Sequence, residues 1–272
     1  DVFDITNYDQ QRTILVVKAN YAQLSELISS FGLIAEIRKT EELNSFWLSQ
    51  NMTENNDWID EALHLVDFTK TNNFITILDT GINNGHKLIE PVLDEVNRLT
   101  VEPSWGVNDS VGHGTSMAGV AMYGNLNAIL ENKKPLEIHH QIESVKILHP
   151  NLPNEQNKYP LITLEAVNRA IINNPNAKRI FCMAVTTDFQ VDFGKPSAYS
   201  SVLDSIIFGE DINDKKIFLV SAGNVRGEHN WKNYPVSNLN LSVESPAQSW
   251  NAISIGAYTE KILPDAATVA NK

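Results

Sequence analysis

From Phe74 onwards the sequence alternates short apolar runs with stretches of helical length. Phe74–Leu78, Val145–Leu148, Arg179–Val185, Ile217–Val220 and Ala252–Gly256 have the apolar, β-branched character of buried strands. Helices are predicted between them, near Ile89–Asn97, from about His113 to residue 123, over Leu164–Ile172 and over Val202–Phe208. In the third of these, Leu164, Val167, Ile171 and Ile172 share one face. Strands that alternate with helices are joined by crossovers, so they lie parallel, and the helices cover both faces of the sheet. The fold class is therefore α/β, a three-layer, doubly wound, mostly parallel sheet. Ligands on such sheets bind outside the carboxyl ends of the strands. Asp79, the segment after Val185, and Asn224 all fall at carboxyl ends.

A smaller α+β module precedes this region. Thr13–Lys18 reads as a strand, Asn20 as the cap of a helix, and Leu24, Leu27, Ile28 and Phe31 as that helix's apolar face. Gly32 suits the helix end, and Leu33–Arg38 reads as a second strand. The polar, turn-forming residues 49–57 are the expected linker. Residues 1–52 are thus read as a β-α-β module and residues 53–272 as the main domain. An amphipathic helix over Trp58–Phe68 leads into the first core strand.

Composition removes several function classes. The formal charge of −12 argues against nucleic acid as the main partner. No apolar run approaches the length that spans a bilayer, and Asp1-Val2-Phe3-Asp4 lacks the features of a signal peptide. A single cysteine, Cys182, permits no internal disulfide and fits a reducing, cytoplasmic compartment.

Three short motifs carry the chemistry. Gly112-His113-Gly114-Thr115-Ser116-Met117-Ala118-Gly119 puts a histidine at the mouth of a helix built on small residues. Asp79-Thr80-Gly81 ends the strand Phe74–Leu78, and Ser221-Ala222-Gly223-Asn224 ends the strand Ile217–Val220. Asp, then His, then Asn, in this order and context, resembles the subtilisin-like serine proteases, over roughly residues 74 to 258. Met117-Ala118-Gly119 and Phe181-Cys182-Met183-Ala184-Val185-Thr186 resemble most a bacterial intracellular branch of that family.

The resemblance implies an endopeptidase. His113 is the general base, because imidazole is the side chain best suited to accept a proton near neutral pH. Asp79 orients His113 through the other ring nitrogen. Asn224 donates its side-chain amide to the oxyanion, a contact whose loss costs about 3–4 kcal/mol in the transition state, a figure from subtilisin itself. Ala184, Val185 and Thr186 form one edge of the substrate cleft, along which an extended peptide pairs as a strand. Family members usually carry Ser-Leu-Gly there, so the first specificity pocket is altered in this chain. The region after Leu148 supplies the other edge.

The nucleophile is the missing part. Ser116 stands in a Gly-Thr-Ser-Met-Ala context but follows His113 within one turn of the same helix, where it cannot face the base. Ser237, Ser242, Ser245, Ser249 and Ser254 lack that context. The expected serine therefore lies beyond Lys272, and the chain alone is expected to be inactive. The alternative is a degenerate subtilisin-like module that binds extended peptides without cutting them. A peptide or protein substrate is the implied partner, with an AAA-type ATPase as a further implication of the intracellular branch; nucleic acid and membrane are not. The N-terminal module is read either as an inhibitory, prodomain-like unit or as a docking unit. No cofactor or metal is called for: His139, His140 and His149 lack a metalloprotease pattern and read as surface histidines, and no acidic loop suits calcium.

Overall fold

The computed structural model describes residues 2–7, 13–17, 19–34, 37, 47, 50–132, 135–152, 154–155, 158–187, 194–209, 214–227, 230, 233 and 236–257. The chain divides into two units, Asp1–Asn56 and Asp57–Lys272.

The first unit opens with β1 (Val2–Asn7), which pairs antiparallel with β2 (Thr13–Val17). Helix α1 (Tyr21–Ser30) follows. It starts at a capping box in which Asn20 and Gln23 each bond the other's backbone N–H at 2.9 Å. Of its expected apolar face, Leu24 and Leu27 are half-buried while Ile28 and Phe31 are exposed. A two-stranded sheet offers too little surface to cover such a face. The second strand expected at Leu33–Arg38 falls partly outside the described residues, and Leu33 lies in a turn.

The expected linker at 49–57 is instead the start of α2 (Met52–His64). Asn51 accepts from the Glu54 backbone N–H, and the Glu54 carboxylate accepts from that of Asn51, both at 3.0 Å. Polar residues that read as a break are here a second capping box. The helix accordingly ends at His64, short of the expected Phe68. Val66–Phe68 forms β3, which pairs in parallel with β6 (Leu136–Ile138).

The main sheet of the second unit has six strands, all paired in parallel: β4 (Asn73–Asp79), β5 (Arg98–Thr100), β7 (Gln141–Lys146), β8 (Lys178–Met183), β9 (Ile217–Ser221) and β10 (Ile253–Ile255). The spatial order is β10-β9-β8-β4-β7-β5. After β4 the chain builds towards β5, and after β8 it builds the opposite way. The topological switch point therefore lies at the carboxyl ends of β4 and β8, where such folds place their ligands.

Alternation along the strands separates two cores. Leu78, Val145, Phe181, Met183, Phe218 and Val220 face α5 (Tyr159–Asn173) and α6 (Ala198–Phe208). Ile77 and Ile142 face the other way, with Ala118 and Met122 of α3 (His113–Tyr123) and Ile129 of α4 (Leu126–Asn132). Asp79 has the parity of Ile77, so it points to the α3 side.

Three expectations are corrected. The helix near Ile89–Asn97 is a series of turns closed by a single 3-10 turn at Glu95–Asn97, because Pro91 removes a backbone donor mid-segment. The strand read at Val145–Leu148 runs earlier, over Gln141–Lys146, and Ile147 and Leu148 leave it to donate their N–H groups to the Asp79 carbonyl at 2.8 and 3.3 Å. In α5 the buried stripe is Thr163, Ala166, Val167 and Ala170. The small residues let the helix approach the sheet, and the Thr163 hydroxyl is satisfied by Tyr199 at 2.6 Å and the Tyr159 carbonyl at 3.0 Å. Leu164 and Ile172 are turned outward, into an open groove of about 590 Å³ that Leu99 and Leu161 also line.

Candidate active site

His113 is the first residue of α3 and Asp79 the last of β4. His113 Nδ1 lies 2.8 Å from Asp79 Oδ1 and 2.9 Å from Oδ2. An ionised carboxylate only accepts, so Nδ1 carries the proton and Nε2 presents its lone pair. The carboxylate is 1% exposed and the imidazole 49%. Nε2 makes no hydrogen bond with a described residue. The buried partner also accepts the Thr80 N–H at 2.7 Å, which fixes its orientation.

The contact depends on two backbones lying almost against each other. A Cβ on Gly114 would fall 2.1 Å from the Gly81 carbonyl oxygen and 3.3 Å from Asp79 Cβ. Gly114→Ala is therefore expected to destabilise the fold by about 2–3 kcal/mol, as overpacking does. Gly119→Ala in the same helix meets nothing within 4 Å and is expected to stabilise it by about 0.5–1 kcal/mol. Thermal denaturation of both variants checks the contrast.

Asp109, which the sequence reading passed over, holds the loop that leads into α3. Its Oδ1 accepts from Thr80 Oγ1 at 2.9 Å, Val111 N at 3.0 Å and Gly112 N at 2.8 Å. Its Oδ2 accepts from Thr115 N at 2.9 Å and Thr115 Oγ1 at 2.8 Å. A carboxylate at a helix start also meets the positive end of the dipole. Burial pushes this carboxyl up, but the bonds from Thr115, Gly112 and Val111 outweigh it and hold the group below the ordinary aspartate range. The available signal was an acid four residues before a helix start.

The unfolded chain consequently binds the Asp109 proton at a higher pH than the folded one. The stabilisation from this carboxylate is complete above about pH 4 and lost as pH falls through the lower, folded value. Asp109→Asn is expected to cost about 1–3 kcal/mol at pH 7, with the gap to wild type closing below pH 4. Urea denaturation at both pH values measures it.

Lys146, at the end of β7, is buried beneath the same loop. Its Nζ donates to the Asn108 carbonyl at 2.6 Å and reaches the Trp105 carbonyl at 3.5 Å. Desolvation lowers its pKa, and the Asp109 charge opposes the shift.

The other expected residues sit at neighbouring strand ends. Asn224 is exposed, three residues past β9, and its side-chain amide bonds no described residue. Ala184, Val185 and Thr186 are half-buried directly after β8. The backbones of Val185 and Thr186 make no hydrogen bond with another described residue, which leaves an edge for a strand to join. Val185 and Thr186 also line a cavity of about 120 Å³ with Ile147, Leu148, Asn154 and Tyr199, so the segments after β7 and β8 share one depression. Asp79 and His113 are thus in direct contact. Thr186 and the Asn224 backbone are linked to each other through Glu244, a residue for which the sequence offered no signal.

Several side chains take other roles. Ser116 Oγ donates to the Gly112 carbonyl one turn back, at 2.8 Å. His86 Nδ1 accepts the Leu88 N–H at 3.2 Å within a turn. The Cys182 thiol is pushed up, first by burial and then by the Asp79 charge, which makes it a poor nucleophile. His139 is exposed, 3.5 Å from Glu137, while His140 is half-buried and His149 packs against Trp105. Among the described residues, no three His, Cys, Asp or Glu side chains stand together as a metal site, and no helix is long and apolar enough to cross a membrane.

The fold is thus an α/β protein with a doubly wound parallel sheet that carries an aspartate and a histidine in contact at its switch point. The subtilase family model, Peptidase S8, matches residues 70–272, and the chain belongs to that family. Solved structures with a similar fold include the CspB protease of Clostridium perfringens, 19% identical, TM-score 0.40, over 56% of this chain and 36% of that one. Another is the prenylagaramide maturation protease PagA, 12% identical, TM-score 0.42, over 74% of this chain and 59% of that one. The chain thus spans less than two thirds of either solved protein. No curated protein matches it.

Proposed function

We propose that the protein carrying this chain is a serine endopeptidase in which His113 is the general base, Asp79 its orienting partner and Asn224 the oxyanion donor. The observation that carries this reading is the 2.8 Å contact between His113 Nδ1 and the buried Asp79 carboxylate, with Nε2 turned outward. The substrate pairs its backbone with Val185 and Thr186. A serine from another segment attacks the peptide carbonyl while Nε2 takes its proton, and the imidazolium returns that proton to the leaving amine. Ser116 is already committed to its own helix.

A further support lies on the α3 side of the sheet. Ile180, Ile217, Ile253 and Ile255 are 40–52% exposed there, on the same face of the adjacent strands β8, β9 and β10, with Ile180 directly opposite Ile217. We assign this apolar stripe to the segment that brings the nucleophile. A cytoplasmic location, on the single cysteine, and an AAA-type ATPase companion, on the resemblance of Met117-Ala118-Gly119 and Phe181–Thr186, belong to the same proposal.

The test is fluorophosphonate labelling of the full-length protein, with the adduct mapped by mass spectrometry. An adduct on a serine outside residues 1–272, lost in His113→Ala, is the expected result. A folded full-length protein that takes no label is a peptide-binding module instead.

A further inference from the structure

Lys146 closes β7 and is 1% exposed, yet it forms no ion pair with a described residue. It stands directly opposite Asp79 in the register of β4 and β7. Opposite residues of neighbouring strands project from the same face, so its side chain shares the α3 side with Asp79. Its backbone is pinned on both flanks. The Lys146 carbonyl accepts the Val101 N–H at 3.1 Å, and Ile147 and Leu148 donate to the Asp79 carbonyl. From this anchored position Nζ donates to the Asn108 carbonyl at 2.6 Å, one residue before Asp109. The same stretch lies hard against the strand end that carries Asp79. A Cβ on Gly81 would stand 2.5 Å from the Val107 carbonyl oxygen and 3.1 Å from the Asn108 carbonyl.

A closed circuit results. Asp109 ties Val111, Gly112 and Thr115 at the start of α3 and takes the Thr80 hydroxyl. Thr80 Oγ1 in turn accepts the Gly114 N–H at 3.1 Å, so the residue after His113 is held by the residue after Asp79. The loop that delivers His113 is therefore fixed between Lys146 on β7 and Asp79-Thr80 at the end of β4. Arg98 grips the same loop through the Asn108 side chain, but it has a carboxylate of its own, Glu95, at 2.7 Å. Lys146 has none among the described residues. A hydrogen bond to a carbonyl needs a donor and not a charge, and a buried charge without a counter-ion is costly. The charge on Lys146 therefore calls for a role beyond bonding Asn108. The charged and titratable groups on the elements around it are Asp79 on β4, Arg98 on β5 with Glu95 before it, Asp109 in the loop, His113 and Tyr123 on α3, and His149 packed against Trp105.

We infer that Lys146 is a positioning residue of the catalytic pair: it holds the loop that sets His113 on Asp79 and, through its charge, lowers the proton affinity of the His113 imidazole. This rests on the protease reading. A cation beside the pair opposes the imidazolium, and below the surface its field is weakly screened. Without that charge the imidazole takes its proton at a higher pH, and less of the free base is present where it must work.

The experiment uses the full-length protein with Lys146→Met, which removes donor and charge, and Lys146→Gln, which keeps a donor and removes the charge alone. One readout is the titration of the His113 ring by NMR, its resonance identified by its loss in His113→Ala. The other is the pH profile of kcat/KM on a fluorogenic peptide. Both variants are expected to raise the His113 midpoint by about 0.5–1 pH unit, and the acid limb of the profile moves up with it. Lys146→Met is also expected to lower kcat by about 10–100-fold at the pH optimum with KM little changed, and Lys146→Gln to restore most of that loss. A Lys146→Gln protein whose His113 titrates as in wild type overturns the inference. So does a Lys146→Gln protein that fails to fold, since either result marks a merely structural lysine; a folding failure of Lys146→Met alone leaves Lys146→Gln to decide. The NMR titration needs no turnover, which separates the two readings. No cleavage by wild type, with a His113 midpoint that rises in Lys146→Gln, sinks the protease reading and keeps the charge role of Lys146. Cleavage with an unmoved midpoint does the reverse, and neither cleavage nor movement sinks both.

Discussion

On the proposed reading, His113→Ala is expected to lower kcat of the full-length protein on a peptide substrate by about 10⁴–10⁶-fold, the range known for removing single members of such triads in subtilisin. The loss of rate falls on chemistry, because the His113 side chain is half-exposed at a helix start and its only hydrogen bonds with described residues go to Asp79. KM therefore changes little, while the buried Asp79 carboxylate, left with the Thr80 N–H, costs about 1–3 kcal/mol of stability. Asp79→Asn is the sharper probe of geometry. It keeps the shape but offers Nδ1 an amide that can also donate, which favours the wrong tautomer, and its expected cost is on the order of 10⁴-fold. Steady-state kinetics on the two variants, with urea midpoints as the folding control, decide the matter. Hydrolysis that survives His113→Ala would remove His113 from the mechanism.

Arg179→Met destabilises the second unit by about 3–5 kcal/mol while leaving the active-site geometry in place. Glu143 on β7 is wholly buried, and Arg179 Nε reaches its Oε2 at 2.9 Å. The same guanidinium donates to the Ala170 and Asn174 carbonyls, at 2.7 and 2.9 Å, and so closes the carboxyl end of α5. Thr76 Oγ1 at 2.8 Å and Asn174 Nδ2 at 2.9 Å complete the carboxylate's shell. Removing the arginine leaves a buried charge with two neutral donors. Removing both charges, as Glu143→Gln with Arg179→Met, is expected to recover most of the loss, because a buried pair roughly balances its own desolvation. Urea denaturation of the single and double variants gives the coupling. A single variant as stable as wild type would show that Glu143 is paid no such cost.

Much of the fold is legible in the sequence, and the reason is visible in the elements that were found. β4 and β9 are dense in Ile, Leu, Val and Phe, and β8 carries Ile180 and Phe181, so their apolar runs are legible locally even where one face stays exposed. Helix α3 begins at His113, where the Gly112-His113-Gly114 stretch placed it. Two of the misses share one cause. β7 is buried along its whole length yet carries Gln141, Glu143 and Lys146, which count as surface residues until partners for them are known. The stripe of α5 that meets the sheet is small and partly polar, so hydropathy pointed to Leu164 and Ile172, which face outward.

The sequence by itself determined five of the six main-sheet strands, helices α3, α5 and α6, the carboxyl-end positions of Asp79, Thr186 and Asn224 and, through its motifs, the family, because backbone preference and apolar periodicity act over a few residues. Only the tertiary structure decided which strands are neighbours, that Asp79 turns to the α3 side and meets His113, and that Asp109, Lys146, Glu143 and Glu244 lie inside. Lys146, Glu143 and Glu244 are held there by partners that are far away in the chain, and Asp109 by near neighbours together with the distant Thr80. The physical reason is that burial of charge is settled by long-range compensation, which no local pattern records.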